Sequence, residues 1–149
     1  MSENKLIKIL NIVLPVIGMG VIIYYKVCDT VCAYISGSFL GIDLKIIGIL
    51  FMAVLLILTI PAVSSFKAPV GHLRTMMLAG AMGGEVILFR FQVVHETFCP
   101  FCLAFGLCLL ILFAIHFRVM NKHLAGACFL AGIGAFALFF RGSILPLYG

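Results

Sequence analysis

Residues 95 to 105 read HETFCPFCLAF. Two thiols, Cys99 and Cys102, stand three residues apart where a polar segment gives way to the apolar run LAFGLCLLILF. A helix needs roughly 20 apolar residues to cross a bilayer, and the run that starts here is of that order. Working outward from it, we find five such stretches, at about 6–25, 46–63, 75–94, 98–117 and 124–140. Breakers and charges fill the turns, as in SSFKAPVGHLR after the second stretch and RVMNKH after the fourth. The expected fold is therefore an all-α integral membrane protein, with residues 1–149 forming a single membrane domain.

The composition agrees. The chain is 64% hydrophobic and 10% charged, whereas soluble domains are about half apolar and about a quarter charged. The net charge of +5 does not point to nucleic acid, because no basic cluster with interleaved aromatics accompanies it. Membrane proteins concentrate Lys and Arg in cytoplasmic loops. Lys5, Lys8, Lys67, Arg74, Arg118 and Lys122 fall on one side of the expected helices; Lys26, Lys45 and Arg141 fall on the other. That excess puts the N-terminus in the cytoplasm and the C-terminus outside. No small-residue cleavage site follows the first apolar stretch, so it reads as a retained helix rather than a cleaved signal.

This orientation places four thiols outside, where disulfides form and persist: Cys28 and Cys32 in VCDTVCAY, and Cys99 and Cys102 at the start of the fourth helix. Residues three apart on a helix share a face, so Cys99 and Cys102 can touch. Pro100 suits the first helical position, which makes Cys99 the N-cap. The partial positive charge of a helix N-terminus stabilises a thiolate there; a protonated His95 would add to this and Glu96 would oppose it. The expectation is an exposed Cys99 that exchanges with another disulfide, and a Cys102 that faces an apolar redox partner at the bilayer edge. Two pairs on one side of a membrane make a relay, in which a thiolate attacks a disulfide and hands two electrons onward. Cys108 and Cys128 lie deeper and read as small hydrophobes.

The same thiols also allow a structural zinc site, two static disulfides, or a transporter that passes a soft metal ion between thiolates. Glu85 and Arg90 lie inside the third helix, where charge is expensive. They read either as structural polar contacts or as groups that deliver protons.

The order of helices and pairs resembles the vitamin K epoxide reductase family, especially its bacterial homologues. Three features carry the resemblance: FCPFCLAFGLCLLILF, a Cys-x-x-Cys running directly into an apolar helix; CDTVCAYISGSFLGIDLKIIGIL, a Cys pair followed by a Ser and a Gly-containing entry to the second helix; and the order of the pairs along the chain. It covers roughly Lys5 to Phe117. It implies four of the five helices bundled around a quinone (ubiquinone or menaquinone) near the outer face of a bacterial inner membrane. Cys102 would reduce the quinone, Cys99 would exchange with Cys32, and Cys28 would complete the loop disulfide. Ser38, with Ser36 as its rival, would sit near the quinone head group, and Phe98, Phe101 and Phe105 would line or stack on the ring. Leu44 and Gly106 stand where the vertebrate enzymes hold vitamin K with Asn and Tyr, so an ordinary respiratory quinone is implied rather than vitamin K epoxide. Many bacterial relatives carry a fused thioredoxin-like domain. Here the sequence closes on RGSILPLYG, which implies a separate thioredoxin-like partner outside the membrane and the making of disulfide bonds in exported proteins. No metal is required by this reading.

Overall fold

The computed structural model describes residues 2–27, 35–60, 67–96 and 98–144. Five helices account for most of them: α1 (Ser2–Val27), α2 (Leu44–Ile57), α3 (Lys67–Val94), α4 (Pro100–His116) and α5 (Lys122–Phe139). They fall where the apolar stretches predict. Three are long and apolar enough to cross a membrane, through Lys5–Tyr24, Pro69–Val94 and Lys122–Phe139. The other two are shorter, with 14 residues in α2 and 17 in α4. At 1.5 Å per residue they run roughly 21 and 26 Å, against a hydrocarbon core of about 30 Å.

Local chemistry sets the ends. Asp43 caps α2, its carboxylate accepting from the Lys45 amide at 3.0 Å. Asn121 caps α5 by accepting from the His123 amide at 3.1 Å. The expected second helix ran to about residue 63, but α2 stops at Ile57 and a turn follows through Ile60. Ile60 precedes Pro61, and a residue before proline is pushed away from helical geometry. Pro69, in the first turn of α3, is tolerated because an amide there has no intrahelical partner, so α3 starts at Lys67, earlier than hydropathy predicts.

The all-α expectation needs one correction. Strands β1 (Ile35–Phe39), β2 (Ile42–Asp43) and β3 (Phe140–Ile144) form a small antiparallel sheet in the order β2-β1-β3. Leu40 and Gly41 both have positive φ, 53° and 82°. A two-residue turn of that kind matches the twist of paired strands. β1 and β3 are both short and contain glycine, so their period-two pattern is too brief to stand out from the helices beside them. The sheet seats on α5 through Phe39 and Phe136, stacked at 4.7 Å, and on α3 through Phe91 and Phe140, edge to face at 5.4 Å.

The helices form a chain of neighbours. α2 packs on α1, α1 on α4, α4 on α3, and α3 on α5. The α3–α5 contact is the most intimate, because glycines let the backbones meet. A Cβ on Gly132 would collide with the carbonyl of Gly80, and one on Gly83 would lie 2.8 Å from the Ile133 nitrogen. Close approach of this sort holds apolar helices together where lipid removes the hydrophobic drive. Met52, Leu55, Leu78, Leu109 and Leu112 fill the centre. The outward faces remain apolar, with Leu130 69% and Leu138 79% exposed, which suits contact with acyl chains.

Candidate functional site

Cys99 is the N-cap of α4 and Pro100 its first helical residue, as the spacing predicts. The Cys99 carbonyl accepts the first helical bond from the Leu103 amide at 3.1 Å, and the Cys99 amide donates to Gln92 Oε1 of α3 at 3.0 Å. Both Cys99 and Cys102 are thiols. The Cys102 thiol hydrogen-bonds to Cys99 and, against the opposing pull of burial, holds the Cys99 thiol down to about 6. The first-turn amides of Cys102 and Phe101 and the charge of Lys45 act in the same direction. This is the helix-terminus effect on a thiolate, with a second thiol as its largest contributor.

The expected exposed Cys99 is not what the structure has: the residue is 4% exposed. The bond to Gln92, itself buried, draws the start of α4 against α3 and takes Cys99 out of contact with solvent. Cys102 is the partly accessible member of the pair.

Cys102 opens onto a cavity of about 350 Å³, within the size range of small-molecule sites. Ile22 of α1, Phe51 of α2, Met77 of α3 and Leu109 of α4 contribute apolar wall, and Phe136 and Phe140 close one side. Among the described residues, the polar groups that reach it are few: Asp43 and Lys45 at the start of α2, Glu85 and Gln92 on α3, and the Cys102 thiol. α2 packs on α1, whereas α3 packs on α4 and α5, so the cavity separates α2 from α3. Glu85 reaches across to α4. A Cβ on Gly106 would lie 2.9 Å from Glu85 Oε2, so the carboxyl occupies the space left by the missing side chain.

The other expected site residues divide. Phe101 and Phe105 line the cavity. Phe98 does not; it is 56% exposed, because it precedes the helix whose face forms the wall. Ser38 is half-buried in β1, but its neighbour Gly37 is the strand's contribution to the lining. Successive residues of a strand point to opposite faces, and a Cβ on Gly37 would meet Phe140 at 2.8 Å, so the cavity face of β1 is the one Ser38 does not share. The Ser36 backbone pairs with Ser143. Cys28 and Cys32 lie outside the described residues. Cys108 is buried in the core and Cys128 packs against it, as small hydrophobes do. Arg90 is exposed near the end of α3. His95 donates from Nδ1 to the Phe91 carbonyl at 2.9 Å. Sequence reasoning missed Gln92 and Lys45. Gln92 carried a signal, as a polar residue inside an apolar helix; Lys45 was read only as a loop charge.

A second polar cluster lies toward the opposite ends of the helices. Arg74 Nη1 donates to His116 Nε2 at 3.3 Å, and Arg74 Nη2 to Thr59 Oγ1 at 3.3 Å. His116 Nδ1 donates to the Leu112 carbonyl at 2.8 Å, which fixes a neutral ring that accepts at Nε2. Asn11, buried beside them, leaves Oδ1 without a partner among the described residues.

The chain matches no protein-family model, no curated protein and no solved structure.

Proposed function

We propose that this protein is a membrane thiol oxidoreductase that moves electrons from a reduced extracytoplasmic protein to a quinone, in the manner of the vitamin K epoxide reductase family that its sequence resembles. One observation carries the reading: a Cys-x-x-Cys dithiol at a helix N-terminus has its inner thiol, Cys102, on the wall of an apolar cavity of about 350 Å³. That cavity suits a flat ring. Phe101 and Phe105 supply apolar surface, and Lys45 and Glu85 supply polar ends.

Bound there, a quinone accepts the two electrons and two protons released when the dithiol closes to a disulfide. The chain's own residues do the rest. Cys99 would exchange with the loop pair: a Cys32 thiolate attacks Cys99 of the Cys99–Cys102 disulfide and frees Cys102, and the lowered Cys99 thiol then leaves readily as the loop disulfide closes. Gln92 fixes the Cys99 backbone so that its sulfur stays beside Cys102. Cys102, held against the cavity, is the sulfur that passes electrons inward. The aromatic cluster of Phe91, Phe136 and Phe140, with the sheet that carries Phe140, closes one side of the cavity. Upstream, Cys28 and Cys32 would receive electrons from a separate thioredoxin-like partner, with the N-terminus in the cytoplasm of a bacterial cell and the thiols outside.

The test is quinone reduction by the purified protein in detergent, with a small dithiol as donor. Wild type is compared with Cys102→Ser and Cys28→Ser. Turnover is expected to vanish in Cys102→Ser. In Cys28→Ser it should survive with the small dithiol but fail with a reduced thioredoxin-like protein. A wild type no faster than Cys102→Ser removes the quinone reading and directs attention to metal transport through the same thiols.

A further inference from the structure

We propose that Glu85 is the proton-transferring group of this cavity, taking the proton of the Cys102 thiol and giving it to a quinone oxygen. The proposal rests on the thiol-to-quinone reading above and adds a residue to it.

Three observations meet at this carboxyl. Glu85 lies in the span Pro69–Val94 of α3 and lines the same cavity as Cys102. Its Oε2 lies against Gly106 of α4, where a Cβ would come within 2.9 Å. Gly106 is four residues after Cys102, and residues four apart lie on one helix face, so carboxyl and thiol face one volume. Among the described residues, Glu85 has no hydrogen-bond or ion-pair partner. A charged carboxyl at membrane depth is costly to keep. A proton, or a ligand oxygen that shares one, satisfies it. Arg90, five residues on in the same helix, is exposed and does not line the cavity.

The chemistry requires such a group. Over the whole cycle two S–H bonds give way to one S–S bond: Cys99 has already lost its proton on becoming a thiolate, and Cys102 loses its own, with two electrons, as the sulfurs join. The quinone takes up two of each and becomes a hydroquinone. In an apolar cavity the protons need a carrier within reach of both donor and acceptor. Glu85 carboxylate accepts the Cys102 proton, and the electron pair moves inward as the Cys99 and Cys102 sulfurs join. The resulting carboxylic acid then protonates one quinone oxygen. The other quinone oxygen takes the second proton from water, and this balances the proton that Cys99 gave up on becoming a thiolate. The carboxyl ends as it began. Among the described residues, the other titratable groups facing the cavity are Asp43 and Lys45 from the start of α2 and Cys102 from α4, and the residues that α1 and α5 contribute to its wall are apolar.

The experiment uses the full chain in detergent with a short-chain ubiquinone analogue and a small dithiol. Wild type, Glu85→Gln, Glu85→Asp and Cys102→Ser are compared by turnover across pH, by thermal stabilisation on adding the quinone, and by the infrared carbonyl band of a protonated carboxyl. Glu85→Gln is expected to lose about 100-fold or more in turnover, the scale of general acid–base catalysis, while still being stabilised by the quinone. Glu85→Asp should recover part of the rate with a shifted pH profile. The infrared band should be absent from Glu85→Gln and should move in wild type when the quinone binds. Wild-type turnover in Glu85→Gln, or a band that ignores the quinone, overturns the role of Glu85 and leaves the oxidoreductase reading standing. If Glu85→Gln does not fold, Glu85→Asp and the wild-type infrared measurement still decide. A wild type that matches Cys102→Ser overturns both readings together.

Discussion

The carboxyl of Glu85 and the backbone of Gly106 share a space that has room for only one of them: a Cβ at Gly106 would lie 2.9 Å from Oε2 and 3.5 Å from Cδ. The obstructing atoms are the end of a flexible side chain, so Gly106→Ala should fold and instead push the carboxyl off α4. Turnover with quinone is expected to fall several-fold with little change in unfolding temperature, and Gly106→Leu should fall further by filling the cavity. Equal turnover in wild type and both variants would show that the position of Glu85 does not matter.

The α3–α5 contact offers no such flexibility. A Cβ on Gly132 meets the Gly80 backbone, and one on Gly83 meets the backbone of Phe129 and Ile133. Backbone cannot step aside, and overpacking of this kind costs about 1–3 kcal/mol. Gly132→Ala and Gly83→Ala should therefore unfold at lower temperature in detergent. Gly126→Ala on the same helix, with nothing within 4 Å of its Cβ, should hold or gain up to about 1 kcal/mol from helix propensity. If all three variants behave alike, the close approach is not what binds α3 to α5.

The helices were legible because long apolar runs and their breakers mark them directly, and the Cys99 N-cap because Pro100 leaves little choice. The sheet was not, since ISGSF and FRGSI are too short and glycine-rich to show a period among apolar neighbours. Cys102 was singled out by spacing alone, and Glu85 by the rarity of charge in a long apolar helix; the structure sets both on the wall of one cavity. What spacing could not give was which residues face one cavity. Ser38 and Gly37 are adjacent in sequence but on opposite faces of β1, and Phe98 and Phe101 flank the Cys99 cap yet only the second lies on the helix. Gly106 was read as a missing Tyr, whereas in the structure its empty position is the seat of Glu85.

Gln92 holds the start of α4 by accepting the Cys99 amide at 3.0 Å in a buried setting. Gln92→Leu keeps the size and leaves that amide unpaired, which costs about 1–3 kcal/mol. Lower stability is expected, along with slower closure of the Cys99–Cys102 disulfide, because the two sulfurs are no longer held side by side. Closure can be followed by alkylating the remaining thiols at timed intervals after adding oxidant. A variant that closes its disulfide at the wild-type rate would confine Gln92 to a packing role.

Cys99 makes the pH dependence of the dithiol predictable in sign. Its thiol is lowered to about 6, chiefly by the hydrogen bond from Cys102, whereas an ordinary thiol titrates at about 8.5. A lowered value means that the thiolate is populated above about pH 6 and lost below it, so thiol–disulfide exchange should rise through that range and level off near neutrality. The ultraviolet absorbance of thiolate in the reduced protein should show a step near pH 6 that disappears in Cys99→Ser. Cys102→Ser removes the largest contributor and should move the remaining step upward, toward the ordinary thiol range. If subtracting the Cys99→Ser titration from wild type leaves no step below about pH 8, the thiolate at the head of α4 does not form. Exchange would then have to begin at another sulfur of the relay.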